Sequence, residues 1–271
     1  MKVLSIDIET YSSKDIQDCG LYNYVQASDF EILLFAYSFD DEDVKIIDLA
    51  QGEQLPNEIV SALSDKSIVK SAYNAAFEWY CLNKFWKSPI DQWQCTMVKG
   101  LYCGYPAGLA AIGNALGLAE DKKKLATGKA LIRYFCMPCR ATKTNGGRTR
   151  NLPKHDLDRW NLFKEYCKQD VVTEKEVKKV LNNVEFPQSE QEMWIIDQLM
   201  NAYGVEIDKK LVDGALYIDE VRTEELIAEA IEISNLNNPK SVSQLKEWIT
   251  KQTGQEINSL NKSEVPALIE N

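Results

Sequence analysis

The chain has 271 residues, of which 45% are apolar and 27% are charged, and its formal net charge is −10 at pH 7. This composition is that of a globular protein long enough to bury a core, and it excludes a disordered chain. The acidic charge argues against a protein that coats nucleic acid non-specifically. No stretch reaches the roughly 18–20 apolar residues that a membrane span requires.

The cysteines and the amino terminus predict the cellular compartment. The chain has seven cysteines, and acidic side chains interrupt the apolar run that a signal peptide would need near its start. We therefore expect reduced thiols and a cytoplasmic protein with no membrane partner.

The first predicted element, residues 3–9, is a buried strand that carries Asp7 and Glu9 among apolar and β-branched side chains. Side chains two apart on a strand point to the same face, roughly 6–7 Å apart. Two carboxylates held this way repel each other unless a cation lies between them. Mg²⁺ and Mn²⁺ prefer such oxygen ligands, so the pair predicts a metal site. The alternative is a polar strand end without function.

The following elements alternate between strand and helix patterns. Strands are predicted at residues 31–39, 44–49 and 67–73, and helices at 55–63 and 75–86. This order predicts a mixed sheet with packed helices, an α/β or α+β architecture. From residue 94 onward the patterns are mostly helical.

A second acidic position lies where the strand at 67–73 gives way to a helix. The sequence there is Asn74-Ala75-Ala76-Phe77-Glu78. Asn74 is a good helix N-cap, and Glu78 is favourable near a helix N-terminus, which is its purely structural interpretation.

Residues 122–154 form a basic window inside an acidic protein. The window has no Asp or Glu, and its basic residues are Lys122, Lys123, Lys124, Lys129, Arg133, Arg140, Lys143, Arg148, Arg150 and Lys154. Such a window favours contact with phosphate over a merely solvated face. Within it, residues 141–150 have the composition of a flexible polar loop that suits a nucleic-acid backbone.

The same window contains the pair Cys136 and Cys139 in a CxxC spacing. A zinc site would need two more ligands, and the single histidine, His155, lies 16 residues beyond Cys139. An ordinary loop is favoured over structural zinc or redox activity.

A long helix is predicted from a cap at Asp156 to about residue 182. Tyr166 and Asp170 are four residues apart on it and share a face. A phenol and a carboxylate in this arrangement can hold an attacking water between a hydrogen bond and a metal. An exposed helix face is the alternative.

The helix is predicted to stop before Pro187, which places a domain edge near residue 185. Amphipathic helices are predicted beyond it at 190–202, 209–234 and 242–253, with a short extended piece at 204–208.

The three acidic motifs in this order, D-x-E, N-x-x-F-E and Y-x-x-x-D, resemble the DEDD superfamily of 3′–5′ exonucleases in its tyrosine variant. The histidine variant has a His five residues before the last Asp, where this chain has Glu165. Residues 190–208 and 237–245 resemble the passage from exonuclease domain to thumb in family A DNA polymerases. Residues 145–153 resemble the phage-type branch of that family.

The resemblance implies a ribonuclease H-like mixed sheet flanked by helices, followed by a helical C-terminal segment. Residues 1–184 would be the exonuclease domain and 185–271 a thumb-like segment of a truncated polymerase. No palm signature follows, so we expect no DNA synthesis from this chain. The expected partners are the single-stranded or frayed 3′ end of DNA and the rest of the polymerase, palm and fingers, in a bacterial or phage-infected cell.

The resemblance also implies roles for individual residues. The catalytic set would be Asp7, Glu9, Glu78, Tyr166 and Asp170, and its four acids would bind two divalent cations, Mg²⁺ or Mn²⁺. Tyr166 would orient the attacking water. The substrate-binding set would be Thr10, Asn74, Phe77, Lys143, Arg148 and Arg150.

One departure affects the second motif, where the family usually has Asp and this chain has Glu78. The longer side chain leaves direct metal coordination at this position open. This departure leaves open a catalytically silent module that binds DNA or braces a polymerase. A separate alternative is an exoribonuclease of the same superfamily.

Overall fold

A computed structural model describes residues 2–123 and 127–269. The chain divides into two compact units, Met1–Gly204 and Val205–Asn271. The first unit contains a sheet with helices, whereas the described part of the second contains helices.

The sheet of the first unit has five strands in the order β3-β2-β1-β4-β5. These are β1 (Lys2–Tyr11), β2 (Glu31–Phe39), β3 (Lys45–Asp48), β4 (Ile68–Ala72) and β5 (Trp93–Cys95). The β1–β2 and β2–β3 pairs are antiparallel, whereas β4 runs parallel to both β1 and β5. This order and these directions are those of a ribonuclease H-like sheet, so the predicted fold class is confirmed.

Strand β1 lies at the centre, and the alternation of its side chains decides what each face of the sheet holds. Leu4, Ile6 and Ile8 point into one core, which also includes side chains from the helices at 57–64 and 75–83. The odd-numbered positions, including Asp7 and Glu9, point to the opposite face. A hydrophobic cluster that includes Phe163 and Val171 lies on this opposite face.

Eight α-helices are described in the first unit, and all of them flank or follow the sheet. They are α1 (Ile16–Val25), α2 (Asn57–Ser64), α3 (Ala75–Asn83), α4 (Thr96–Tyr102), α5 (Leu109–Ala115), α6 (Gly128–Phe135), α7 (Leu157–Leu181) and α8 (Gln188–Tyr203). Helix α7 is the predicted long helix. The Asp156 side chain caps it by accepting a hydrogen bond from the backbone N–H of Arg159 at 3.0 Å.

Helix α8 belongs to the first unit. Its Trp194 is buried in the core that includes Ile6 and Ile8, and the Gln191 side chain donates to the backbone carbonyl of Trp93 at 2.9 Å. Because of this packing, the compact unit extends to Gly204 and passes the edge predicted near residue 185. The functional boundary between exonuclease and thumb stays a prediction.

The second unit contains α9 (Lys209–Ser234), α10 (Val242–Thr253) and α11 (Val265–Ile269). Asp208 caps α9 by accepting a hydrogen bond from the Leu211 N–H at 3.1 Å, and no side chain of α9 is buried. Residues 204–208, predicted as extended, lie in neither a helix nor a strand. Among the helices of the described residues, none is long and apolar enough to cross a membrane.

Candidate active site

Asp7 and Glu9 lie on the face of β1 that α7 covers. One ligand atom from each, together with the thiol of Cys167 on α7, lies within 4.8 Å of the other two. The Cys167 Sγ is 3.4 Å from Asp7 Oδ2. The two β1 carboxylates therefore lie on one face, as their spacing on the strand predicts. The fold also brings Cys167 to them, although it lies 160 residues after Asp7 in the sequence.

Helix α7 brings Tyr166 and Asp170 to the same place. Tyr166 is 2% exposed and Asp170 is 5% exposed. Burial raises the pKa of Tyr166 far above its ordinary value, and the charges of Asp170, Glu9 and Asp7 raise it further, in that order. A side-chain hydrogen bond with Asp170 acts in the same direction. Tyr166 is therefore a neutral phenol that faces the acids. Asp170 lies outside the 4.8 Å group that Asp7, Glu9 and Cys167 form.

Glu78 on α3 is the third contribution to the site. It is 5% exposed, and its Oε2 is buried without a hydrogen-bond partner among the described residues. Burial raises its pKa well above the usual value, followed by the charge of Asp7 and then those of Glu174 and Asp170. A buried carboxyl oxygen with no donor is expensive unless a cation or a proton satisfies it. Glu78 thus fits a cation site in spite of its extra methylene.

Glu174 is an acid that the sequence motifs did not identify. It lies on α7, one turn after Asp170, and is 2% exposed. Its Oε1 accepts hydrogen bonds from Ser71 Oγ at 2.7 Å and Thr96 Oγ1 at 2.5 Å. Its charge acts on Glu78. The sequence did contain a signal for Glu174, because it follows Asp170 by four residues and so continues the Y-x-x-x-D spacing on the same helix face.

The ring of Tyr166 is held by close packing with α6. A Cβ added at Gly128, the first residue of α6, would lie 2.1 Å from Tyr166 Cε2 and 2.8 Å from its hydroxyl oxygen. The ring also stacks on Phe163, with centroids 6.1 Å apart. Only glycine leaves room for the phenol here, so the basic window contributes to the site through α6.

The predicted substrate residues near the acids differ in their accessibility. Thr10 is 3% exposed, and its hydroxyl shares a 2.7 Å hydrogen bond with Tyr24. Phe77 is half-buried, 6.4 Å from the Tyr24 ring. Asn74 occupies the N-cap position of α3 without making a capping hydrogen bond, and it is exposed. Asn74 is therefore the member of this set whose amide faces solvent.

The basic residues of the substrate-binding set also divide. Arg150 Nη2 is 2.6 Å from Glu31 Oε2, and its guanidinium lies 3.7 Å from the centroid of the Tyr11 ring. Arg148 donates through Nε to Asn151 Oδ1 at 2.8 Å, whereas Lys143 is exposed. These contacts give the two arginines structural roles. Their contact with substrate stays a prediction. Lys124, another basic residue of the window at 122–154, lies outside the described residues.

The two cysteines of the CxxC pair face different surroundings. Cys136 is buried, and its Sγ is 3.8 Å from Glu9 Oε2. The Cys139 thiol donates instead to the backbone carbonyl of Arg148 at 3.5 Å. The pair therefore does not converge on a common zinc position, and all seven cysteines are free thiols.

A cavity of about 460 Å³ is lined in part by Cys136, next to Glu9. Its lining is mostly apolar, with polar contributions from Ser13, Lys14, Asp15 and Gln17. The apolar part comes from Ile16, Tyr24, Ile132, Cys136, Met137 and Pro138. Because Cys136 contacts Glu9, a ligand in the cavity would lie next to the acids.

The fold and the site define a ribonuclease H-like protein whose central strand carries two neighbouring carboxylates, the half-buried Asp7 and the buried Glu9. The chain is 49% identical to the DNA polymerase of Bacillus phage SP02 over 273 aligned positions that include the whole chain. It is therefore a relative of that phage polymerase, and the predicted resemblance to phage-type polymerases is confirmed. The chain spans 42% of the length of this relative. No protein-family model matches the chain.

Solved structures with similar folds are more distant. Brucella melitensis NrnC is 18% identical, with a TM-score of 0.46, over 76% of this chain and 88% of that one. Escherichia coli RNase D, an exoribonuclease involved in structured RNA processing, is 14% identical, with a TM-score of 0.42, over 73% of this chain and 44% of that one. At these scores the fold assignment rests on the strand order of the sheet.

Proposed function

We propose that the first unit is a metal-dependent 3′–5′ exonuclease that removes nucleoside 5′-monophosphates from DNA 3′ ends. The observation that carries this proposal is the convergence of acids from distant parts of the chain. Asp7 and Glu9 lie together on β1, their charges and that of Asp170 act on the phenol of Tyr166 on α7, and the charges of Asp7 and Asp170 act on Glu78 on α3. Carboxylates this close together repel one another unless cations or protons balance their charge, and a metal site supplies the cations.

The donor set supports divalent cations such as Mg²⁺ or Mn²⁺. The carboxylates supply hard oxygen ligands, and the orphaned Glu78 Oε2 is a buried oxygen that such an ion would satisfy. Asp7, Glu9 and Asp170 would hold one ion, and Asp7 with Glu78 a second. When bound, a pair of ions lowers the pKa of a coordinated water and balances charge on the leaving oxygen.

Tyr166 acts as a neutral hydrogen-bonding group in this proposal. Because its pKa lies far above the ordinary value, the phenol keeps its proton at every working pH. It can then orient the attacking water through its hydroxyl, while the fixed ring position set by Gly128 determines where that hydroxyl lies. Glu9, 7% exposed, would also contact this water.

The cavity beside Glu9 supports a nucleotide substrate. A volume of about 460 Å³ suits a base and its sugar. The apolar lining favours contact with the flat face of a base, whichever base it is. Lys14 at the cavity and exposed Lys143 are cations for the phosphate backbone. DNA is favoured over RNA because the relative with 49% identity is a DNA polymerase. The remaining polymerase domains are the proposed partners.

The experiment compares digestion of 5′-labelled DNA and RNA oligonucleotides of one sequence, with Mg²⁺ or Mn²⁺ and with EDTA. We expect stepwise shortening of DNA from its 3′ end, release of 5′-mononucleotides, and no reaction in EDTA. Asp7→Asn should lower the rate at least about 100-fold, since removing even a supporting group of a metal site has effects of this order. Asp158→Asn, an exposed acid on α7, is the matched control.

Each alternative has its own outcome in this assay. Digestion of RNA alone would replace the proposal with an exoribonuclease. Cation-dependent DNA binding without mononucleotide release would indicate the silent module. Equal rates for wild type and Asp7→Asn would remove the carboxylate cluster from the mechanism.

A further inference from the structure

Residues 139–149 form a loop, the basic arm, that starts at the wall of the 460 Å³ cavity. Met137, two residues before the arm, lines that cavity. Cys136 also lines it, and its Sγ lies 3.8 Å from Glu9 Oε2. The chain therefore passes from the neighbourhood of the acids, along the cavity wall, into the arm.

The arm returns to the same end of β1. The Cys139 N–H donates to the backbone carbonyl of Thr149 at 2.7 Å and closes the arm. Arg150, which follows the arm, has its guanidinium 3.7 Å from the centroid of the Tyr11 ring. Tyr11 is the last residue of β1, two positions after Glu9. Both ends of the arm are therefore fixed beside the proposed nucleotide cavity.

A single side-chain amide, that of Asn145, organises the arm from inside. Its Oδ1 accepts hydrogen bonds from the N–H groups of Thr142 at 2.9 Å and Gly147 at 3.1 Å. Its Nδ2 donates to the carbonyls of Arg140 at 2.9 Å and Arg148 at 3.1 Å. These bonds use the full donor and acceptor capacity of the amide, so the two sides of the arm are joined through Asn145.

The arm presents two exposed cations, Arg140 and Lys143, and contains no Asp or Glu. Arg148 is used internally, because its Nη1 donates to the carbonyl of Asn145 at 2.9 Å. No acid of the described residues forms an ion pair with Arg140 or Lys143, in contrast to Arg150, which pairs with Glu31. Cations on a loop that is already ordered lose less entropy when they bind a ligand, and a phosphate backbone is the polyanion that suits them.

We propose that the basic arm binds phosphates of the DNA strand behind its 3′-terminal nucleotide, through Arg140 and Lys143, and that Asn145 is the positioning residue for both cations. This inference rests on the proposed function of the cavity. Lys143 is seven residues from Cys136, a span of at most about 25 Å, and a stacked strand advances about 3.4 Å per nucleotide. The arm therefore reaches phosphates within about seven nucleotides of the cavity, and it favours long strands over dinucleotides.

The experiment measures binding of a 5′-labelled DNA strand of about 12 nucleotides, longer than the reach of the arm. Fluorescence anisotropy is recorded in EDTA at increasing salt, so that no cleavage occurs. Each phosphate contact on a single strand adds about 0.7 to the slope of log affinity against log salt. The double variant Arg140→Ala/Lys143→Ala should therefore lower this slope by about 1.4 and weaken binding about 2–30-fold.

Asn145→Ala should lower the salt slope although it removes no charge, and it should add little in the background of the double variant, because it acts through the same cations. In Mg²⁺ it should raise KM for the long strand more than KM for a dinucleotide, without a comparable fall in kcat. Asn83→Ala is the matched control. The Asn83 amide also holds a loop, by donating to the carbonyls of Trp79 and Ser88, and its loss should leave the slope at the wild-type value.

A wild-type salt slope in Arg140→Ala/Lys143→Ala would overturn the proposal. Weaker binding by Asn145→Ala at an unchanged slope would contradict its positioning role, and equal rises in KM for the long strand and the dinucleotide would contradict the preference for length. If Asn145→Ala does not fold, the slope of the double variant decides. Failure of the proposed function has a different result: binding that depends on the arm, with no release of mononucleotides in Mg²⁺, would support the arm and contradict the nuclease.

Discussion

Replacing Gly128 by alanine should disable the site without touching any acid. The new Cβ would lie 2.1 Å from Tyr166 Cε2 and 2.4 Å from Cζ. Ordinary contact begins at 3.4 Å, so the ring or the start of α6 must move by about 1 Å. The ring also stacks on Phe163, so the phenol hydroxyl has to shift relative to the acids whose charges act on it.

The size of the effect follows from this displacement. Misplacing a reacting group by about 1 Å can lower a rate about 100-fold, so kcat should fall by about that factor while Mn²⁺ affinity stays within about threefold. Overpacking should also reduce the free energy of unfolding by about 1–3 kcal/mol, which lowers Tm by roughly 2–12 °C in a unit of this size. Single-turnover digestion of a DNA oligonucleotide and thermal melting measure the two quantities.

Gly113→Ala is the matched control for Gly128→Ala. Gly113 is also buried and helical, but its added Cβ would meet Leu118 at 3.6 Å, an ordinary contact. In a Tyr166→Phe background, Gly128→Ala should lower the rate further by only a small factor, because both changes act through the same hydroxyl. Wild-type cleavage by Gly128→Ala, or full additivity in the double variant, would refute the packing argument.

Other variants test separate parts of the site and the fold. Tyr166→Phe should slow cleavage about 10–100-fold and leave Mn²⁺ affinity unchanged. The pH–rate profile of the wild-type protein should show no ionisation of the Tyr166 phenol up to pH 10. Glu78→Asp tests whether the site is built around the longer side chain, and we expect weaker Mn²⁺ binding because the shorter carboxylate reaches less far. Arg150→Ala should lower Tm, since it removes an ion pair and a ring contact, whereas Lys143→Ala should weaken DNA binding and its salt dependence at constant Tm. Burial lowers the pKa of Lys70 to about 8. The folded state therefore binds fewer protons than the unfolded state above that pH, and stability should rise from pH 8 to 9.5 by at most about 1.4 kcal/mol per unit. In urea melts, a Lys70→Met variant should lose this slope.

The sequence predicted the elements whose periodicity is long and regular. The long helix, its cap at Asp156 and the strand that carries Asp7 and Glu9 are all present. Strand β5 was not predicted, because its three residues are too few to show an alternation of apolar and polar side chains. Helix α1 was also missed, because Gly20 interrupts it with a φ of 75° and breaks the helical period.

The sequence predicted only those residues of the site that belong to the three acidic motifs. The shared face of Asp7 and Glu9 follows from strand geometry, and that of Tyr166 and Asp170 from helix geometry. The acid at Glu174 and the thiol of Cys167 were missed because their meaning depends on which face of α7 is buried. Only tertiary packing determines that face. The same packing gives Arg150 a partner in Glu31, which a count of basic residues cannot reveal.

The most direct test of the converging acids is anomalous diffraction from crystals soaked in Mn²⁺ with a short DNA strand. We predict a manganese peak whose ligands include the carboxylates of Asp7 and Glu9, with Asp170 or Glu78 completing its protein ligands and the 3′ end of the strand beside it. Manganese bound only elsewhere on the protein, with the carboxylates of Asp7 and Glu9 empty and DNA present, would contradict the account.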